Sequence, residues 1–132
     1  MKKILLAPDS FKGTLSSEEV CAIMKAAILH ILPEARVTAL PVADGGEGSV
    51  DSFLAALGGK KIAVPCHGPY GEEMMGFYGL LPGNVAVVEM AAAAGLPLVY
   101  GRKNPAETTT FGVGELMRAA LESGITRLIV GL

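Results

Sequence analysis

Hydrophobic and polar positions along the chain fall into short apolar runs separated by amphipathic helical stretches. Lys3 to Ala7 is an apolar run stopped by Pro8, which predicts a buried first strand. Ser16 and Glu19 have capping-box spacing. Val20, Ile23, Met24, Ala27, Ile28 and Ile31 then recur at helical spacing, so Met24 is expected in the core. His30 is expected to be a last-turn residue favoured by the helix dipole. Arg36 to Val42 predicts a second strand. A helix carrying Val50, Phe53, Leu54 and Leu57 follows, with Gly58-Gly59 as its stop. Lys61 to Pro65 predicts a third strand. The order strand, helix, strand, helix, strand implies a parallel, Rossmann-like α/β sheet with right-handed crossovers.

The pattern changes after Cys66. His67-Gly68-Pro69-Tyr70-Gly71 is turn chemistry. Glu73 to Leu81 and Asn84 to Met90 predict a β-hairpin joined at Pro82-Gly83. Ala91 to Ala94 is a short helical segment. A helix follows Gly114 to about Ser123, with Leu116, Met117, Ala120 and Leu121 inward, and Arg127 to Val130 predicts a last strand. The expected organisation is residues 1–65 as the start of one Rossmann-like α/β domain and residues 66–132 as part of a second α/β domain.

Composition narrows the classes. The 132 residues are 51% hydrophobic and 18% charged, enough apolar material for a core. The net charge is −2 with scattered Lys and Arg, so no nucleic-acid footprint is expected. No apolar run approaches the roughly 18 residues of a membrane span. The start, Met1 to Ala7, is too short and too soon followed by Asp9 and Lys12 to read as a signal peptide. Cys21 and Cys66 form no metal or disulfide framework, which points to a reducing cytoplasm.

Candidate chemistry lies in four places. Pro41-Val42-Ala43-Asp44-Gly45-Gly46-Glu47-Gly48 sets two carboxylates among three glycines between a strand and a helix. The acids suit a divalent cation or the hydroxyls of a small polyol, and a tight turn with a capping carboxylate is the plainer alternative. Asp9-Ser10-Phe11-Lys12-Gly13 follows the first strand. Lys12 suits a phosphate or a carboxylate, and a solvated loop lysine is its alternative; Asp9 suits a metal or a turn cap through Ser10. Thr108-Thr109-Thr110-Phe111-Gly112-Val113-Gly114 combines hydroxyls, glycines and a helix start, as an anion or polyol cradle or an ordinary threonine N-cap would. Glu89, between Val88 and Met90, needs a partner or a ligand if buried, and strand-end exposure is the alternative. His67 and the cysteines give no nucleophile–base pair. Neither a dinucleotide fingerprint nor a Walker motif is present. Lys12, Asp44, Glu47 and the Thr108–Gly114 loop are expected to converge at one sheet edge.

Together with Glu89-Met90-Ala91, Gly95-Leu96, Asn104-Pro105 and Glu115-Leu116, these motifs resemble the glycerate kinase family, in its order and spacing along the whole chain. The resemblance implies an ATP- and Mg²⁺-dependent kinase that phosphorylates D-glycerate, built of two α/β domains around an active-site cleft. It implies catalytic roles for Lys12, Asp44 and Glu47, with Asp44 and Glu47 as the metal candidates. Substrate contacts would come from Asp9, Ser10, Gly45, Gly46, Thr108, Thr109, Thr110, Gly112 and Gly114. The chain looks like the N-terminal third of such an enzyme. The missing C-terminal portion is its expected partner, with no nucleic acid and no membrane involved. The alternative is a non-catalytic fragment, or one half of a split enzyme that binds ligand only with its partner.

Overall fold

The computed structural model describes residues 1–99, 101, 102 and 104–132. They divide into two compact units, Met1–Asp44 and Gly45–Leu132.

The first unit holds β1 (Lys3–Leu6), α1 (Ser17–Ile31) and β2 (Arg36–Ala39), with the two strands paired in parallel from Lys3 with Arg36 to Leu6 with Ala39. Both bonds of the capping box form: Ser16 Oγ accepts from the Glu19 N–H at 3.2 Å, and Glu19 Oε2 accepts from the Ser16 N–H at 2.8 Å. The Ser16 N–H, and after it the Ser16 hydroxyl at 2.9 Å, donate to the Glu19 carboxylate and hold it below its ordinary range. Val20 and Cys21 are buried, but Ile23, Met24 and Ile31 are exposed, against the expectation that Met24 is core. The reason is coverage. Four-residue strands are about 13 Å long, whereas a fifteen-residue helix is about 22 Å long, so two such strands leave part of the helix face uncovered.

The second unit contains α2 (Ser49–Leu57), β3 (Lys60–His67), β4 (Glu73–Leu81), β5 (Val85–Glu89), α3 (Ala91–Ala94), α4 (Phe111–Glu122) and β6 (Arg127–Gly131). The sheet order is β3-β4-β5-β6. β3/β4 and β4/β5 are antiparallel, and β5/β6 are parallel. The α/β class and the β4–β5 hairpin are therefore as expected. The third strand is not: it joins this sheet, antiparallel to β4, rather than extending the β1/β2 pair. The Gly68–Gly71 turn explains it. The Gly68 N–H reaches the Glu72 carbonyl at 2.8 Å and the Gly71 N–H reaches Gly68 at 3.1 Å, folding β4 straight back along β3. Residues 65 and 66, on either side of the expected boundary, both lie inside β3.

The core forms on both faces of β5, because successive side chains point opposite ways. Ala86 and Val88 pack with Tyr78, Ala92, Ala93, Val113, Leu116 and Ala120. Val87 packs on the other side with Val50 and Leu81. Leu121, expected inward, is exposed, because the tightest face of α4 is set by Leu116 and Ala120.

Candidate functional site

In the first unit the Asp9–Thr14 loop leaves the carboxyl end of β1. Ser17, one residue after the helix cap, ties it to the segment after β2. Its hydroxyl donates to the Pro8 carbonyl at 2.6 Å and accepts from the Val42 N–H at 3.0 Å. That arrangement sets Lys12 Nζ 3.9 Å from Asp44 Oδ2, so the structure brings these two expected residues together. Both side chains are more than half exposed. An exposed pair of this kind contributes about 0–1 kcal/mol to stability. This ion pair therefore contributes little to folding. Asp9 caps its own turn, with Oδ1 accepting from the Ser10 N–H at 2.7 Å. Among the described residues the buried Ser10 hydroxyl has no hydrogen-bond partner.

In the second unit, Gly45 (φ +107°) and Gly48 (φ +87°) hold left-handed backbone that favours glycine, and between them lie Gly46 and the half-buried Glu47. Glu89 ends β5 beneath this turn and is 3% exposed. Its Oε2 accepts from the Val50 N–H at 2.8 Å and its Oε1 from the Gly48 N–H at 3.3 Å. The carboxylate that the sequence says needs a partner thus caps α2. Burial pushes the Glu89 carboxyl above its ordinary range, the two N–H donors oppose that rise, Asp51 adds to it and Lys61 counters it.

A carboxyl that holds its proton more tightly when folded loses stability as pH rises through the window between its ordinary value of 4.5 and the raised one. The chain should therefore gain stability relative to Glu89→Gln as pH falls through that window. Paired thermal melts across the acid range check this, and a difference constant with pH would contradict it.

Past the carboxyl end of β3, Thr108, Thr109 and Thr110 lead into α4. Thr109 Oγ1 accepts from the Phe111 N–H at 3.1 Å, and the Thr109 N–H donates to the Pro69 carbonyl at 2.9 Å. Thr108 Oγ1 donates to the Pro105 carbonyl at 3.2 Å. The three threonines line a cavity of about 560 Å³ with Asn104, Arg102 and an apolar wall of Pro69, Ala94, Leu96, Val99 and Pro105. Arg102 is a cation that the sequence reading overlooks. Its guanidinium lies 4.0 Å from the centroid of the Tyr70 ring and 3.7 Å from Glu107, and its carbonyl accepts from the Tyr70 hydroxyl. Gly112 is a packing residue: a Cβ there would come within 1.8 Å of the His67 carbonyl oxygen. A Cβ at Gly114 would meet open space.

The His67–Glu115 pair is a second omission. Glu115 Oε2 accepts from the His67 N–H at 2.8 Å and lies 3.0 Å from Nδ1. The His67 side chain, followed by its backbone N–H and charge, outweighs burial and holds the Glu115 carboxyl below its ordinary range. Among the described residues no group of three or more His, Cys, Asp or Glu could hold a metal by itself. Among the described residues no helix is long and apolar enough to cross a membrane.

The sequence profile of the glycerate kinase family matches residues 4–132. The chain belongs to the glycerate kinase family. It is 47% identical to a glycerate kinase of Bacillus subtilis and 44% identical to a glycerate 2-kinase of Escherichia coli, each match taking in 98% of this chain and 35% of the relative. A solved structure described as glycerate kinase 2 from Salmonella typhimurium LT2 superposes with a TM-score of 0.73 at 42% identity, over 98% of this chain and 35% of that one. The chain thus spans about a third of the length of the glycerate kinases it matches.

Proposed function

We propose that this chain supplies substrate-binding and catalytic residues of an ATP-dependent kinase that phosphorylates D-glycerate. The observation that carries the reading is the Lys12–Asp44 pair, an ammonium and a carboxylate held side by side and open to solvent in a member of this family. A hydroxy acid offers complementary groups, a carboxylate for Lys12 and hydroxyls for Asp44. Phosphoryl transfer rests on positioning and charge neutralisation, so few side chains are needed.

Asp44 in the first unit and Glu47 in the second would each offer a carboxylate oxygen suited to Mg²⁺, which takes one or two carboxylates together with substrate phosphates. When bound, that ion neutralises phosphate charge. Asp44 accepts a hydrogen bond from a substrate hydroxyl, while Lys12 offsets negative charge on the substrate. The Thr108–Thr110 cavity suits the nucleotide: its volume falls within the roughly 300–1,000 Å³ range of small-molecule and cofactor sites. It has an apolar wall for a base and hydroxyls and a guanidinium for polar groups. Two buried thiols without a disulfide fit a reducing, cytoplasmic setting.

Amide spectra of the 132-residue chain test the assignment. D-glycerate should shift resonances of Ser10–Gly13 and Ala43–Asp44, and ADP should shift those of Leu96–Val99 and Thr108–Thr110. Interchanged responses, or none at millimolar ligand, would overturn it.

A further inference from the structure

We propose that Glu89 is a positioning residue: it fixes the Gly45–Gly48 loop, and with it Glu47, by holding the loop's last N–H and the first turn of α2. The inference rests on the kinase reading for what the loop is used for, but its geometry is independent. Glu89 is 3% exposed and spends both oxygens on the loop–helix junction, one on Gly48 and one on Val50. The residue after it is fixed too, since the Met90 N–H donates to the Gly131 carbonyl at 2.9 Å.

A second contact holds the same loop at its other end. A Cβ at Gly131 would lie 2.1 Å from the Gly45 carbonyl oxygen, and one at Gly45 would lie 3.3 Å from the Leu132 carbonyl oxygen. The end of β6 therefore presses on the first residue of the turn while the end of β5 holds the last. Backbone fixed at both ends leaves Glu47 little freedom of placement, which is what a group acting in phosphoryl transfer requires.

The same geometry decides a chemical question. A helix start can bind an anion through its unsatisfied N–H groups. In α2 a protein carboxyl already takes the N–H groups of Gly48 and Val50, which leaves neither to offer a phosphate. Phosphate recognition is thereby left to other groups, and the function of this turn lies in its acidic side chain.

The test pairs Glu89→Gln, which keeps size and removes one acceptor, with Gly131→Ala, which pushes the loop from the opposite end. Glu89→Asp stands in should the glutamine variant fail to fold. In the 132-residue chain, both changes should move the amide resonances of Gly45–Gly48. In a hybrid where this chain replaces the matching third of the Bacillus subtilis glycerate kinase, both should lower kcat by about tenfold or more. KM for ATP and D-glycerate should stay within about threefold. Unmoved loop resonances, or a kcat that falls only as far as the folded fraction does, would overturn the proposal. An unmodified hybrid without activity would count against the kinase reading, and the amide resonances would then decide the positioning role.

Discussion

Asp44→Asn in the hybrid glycerate kinase is expected to lower turnover by about 10²–10³-fold, the scale of losing one preorganised polar contact to developing charge. The melting temperature should move by no more than about 3 °C, because surface substitutions usually change stability by less than about 0.5 kcal/mol. The reasons lie in the residue's surroundings. The Asp44 side chain is 58% exposed beside an equally exposed Lys12, so its charge adds little to folding. The segment that carries it is held instead by the Val42 N–H, which donates to the Ser17 hydroxyl. The asparagine keeps the shape and loses the charge. Steady-state kinetics beside a thermal melt checks this. A variant that melts far lower yet turns over normally would make Asp44 a structural cap.

Leu116→Ala is expected to have the largest effect on stability, about 2–5 kcal/mol. Leu116 is fully buried in the centre of α4, packed in the cluster formed with Cys66, Tyr78 and Val88. It also lies close to Gly76, where an added Cβ would be 3.0 Å from its Cδ2. Truncation leaves a cavity between helix and sheet that neighbouring backbone cannot fill. For a unit of this size the melting temperature should fall by roughly 10–25 °C. The consequence reaches the site, because α4 carries Thr110 at its start and Glu115, which pairs with His67. Denaturant melts measure the loss, and a change under about 0.5 kcal/mol, the usual scale of a surface substitution, would contradict the packing described.

Local patterns were the most legible part of the chain. Ser16 and Glu19 are three positions apart, and both bonds of their capping box form. The β4–β5 hairpin was equally plain, since Pro82-Gly83 interrupts two apolar alternations and Gly83 and Asn84 adopt positive φ. Pairing between distant segments was less so. Nothing in Lys60–His67 distinguishes a strand that continues a parallel sheet from one that starts a hairpin, and the following turn decides it.

The site was legible in the same uneven way. Asp44 and Lys12 stood out because charge among glycines signals chemistry, and they do meet. Glu89 stood out as a costly charge in an apolar run, but its partners lie 41 and 39 positions earlier, beyond any local pattern. Arg102 was missed because its neighbour Tyr70 is 32 positions away. Only the fold brings a turn after β3 against the loop before α4. Met24 misled for the opposite reason: helical periodicity marks an apolar face without saying how much sheet there is to cover it.

The most direct test of the account is D-glycerate-dependent release of ADP from Mg·ATP by the hybrid, with and without Lys12→Ala. The account predicts turnover that requires D-glycerate and falls by about 10²-fold or more when the Lys12 ammonium is removed. ADP release that is independent of D-glycerate, or unchanged in the Lys12 variant, would contradict it.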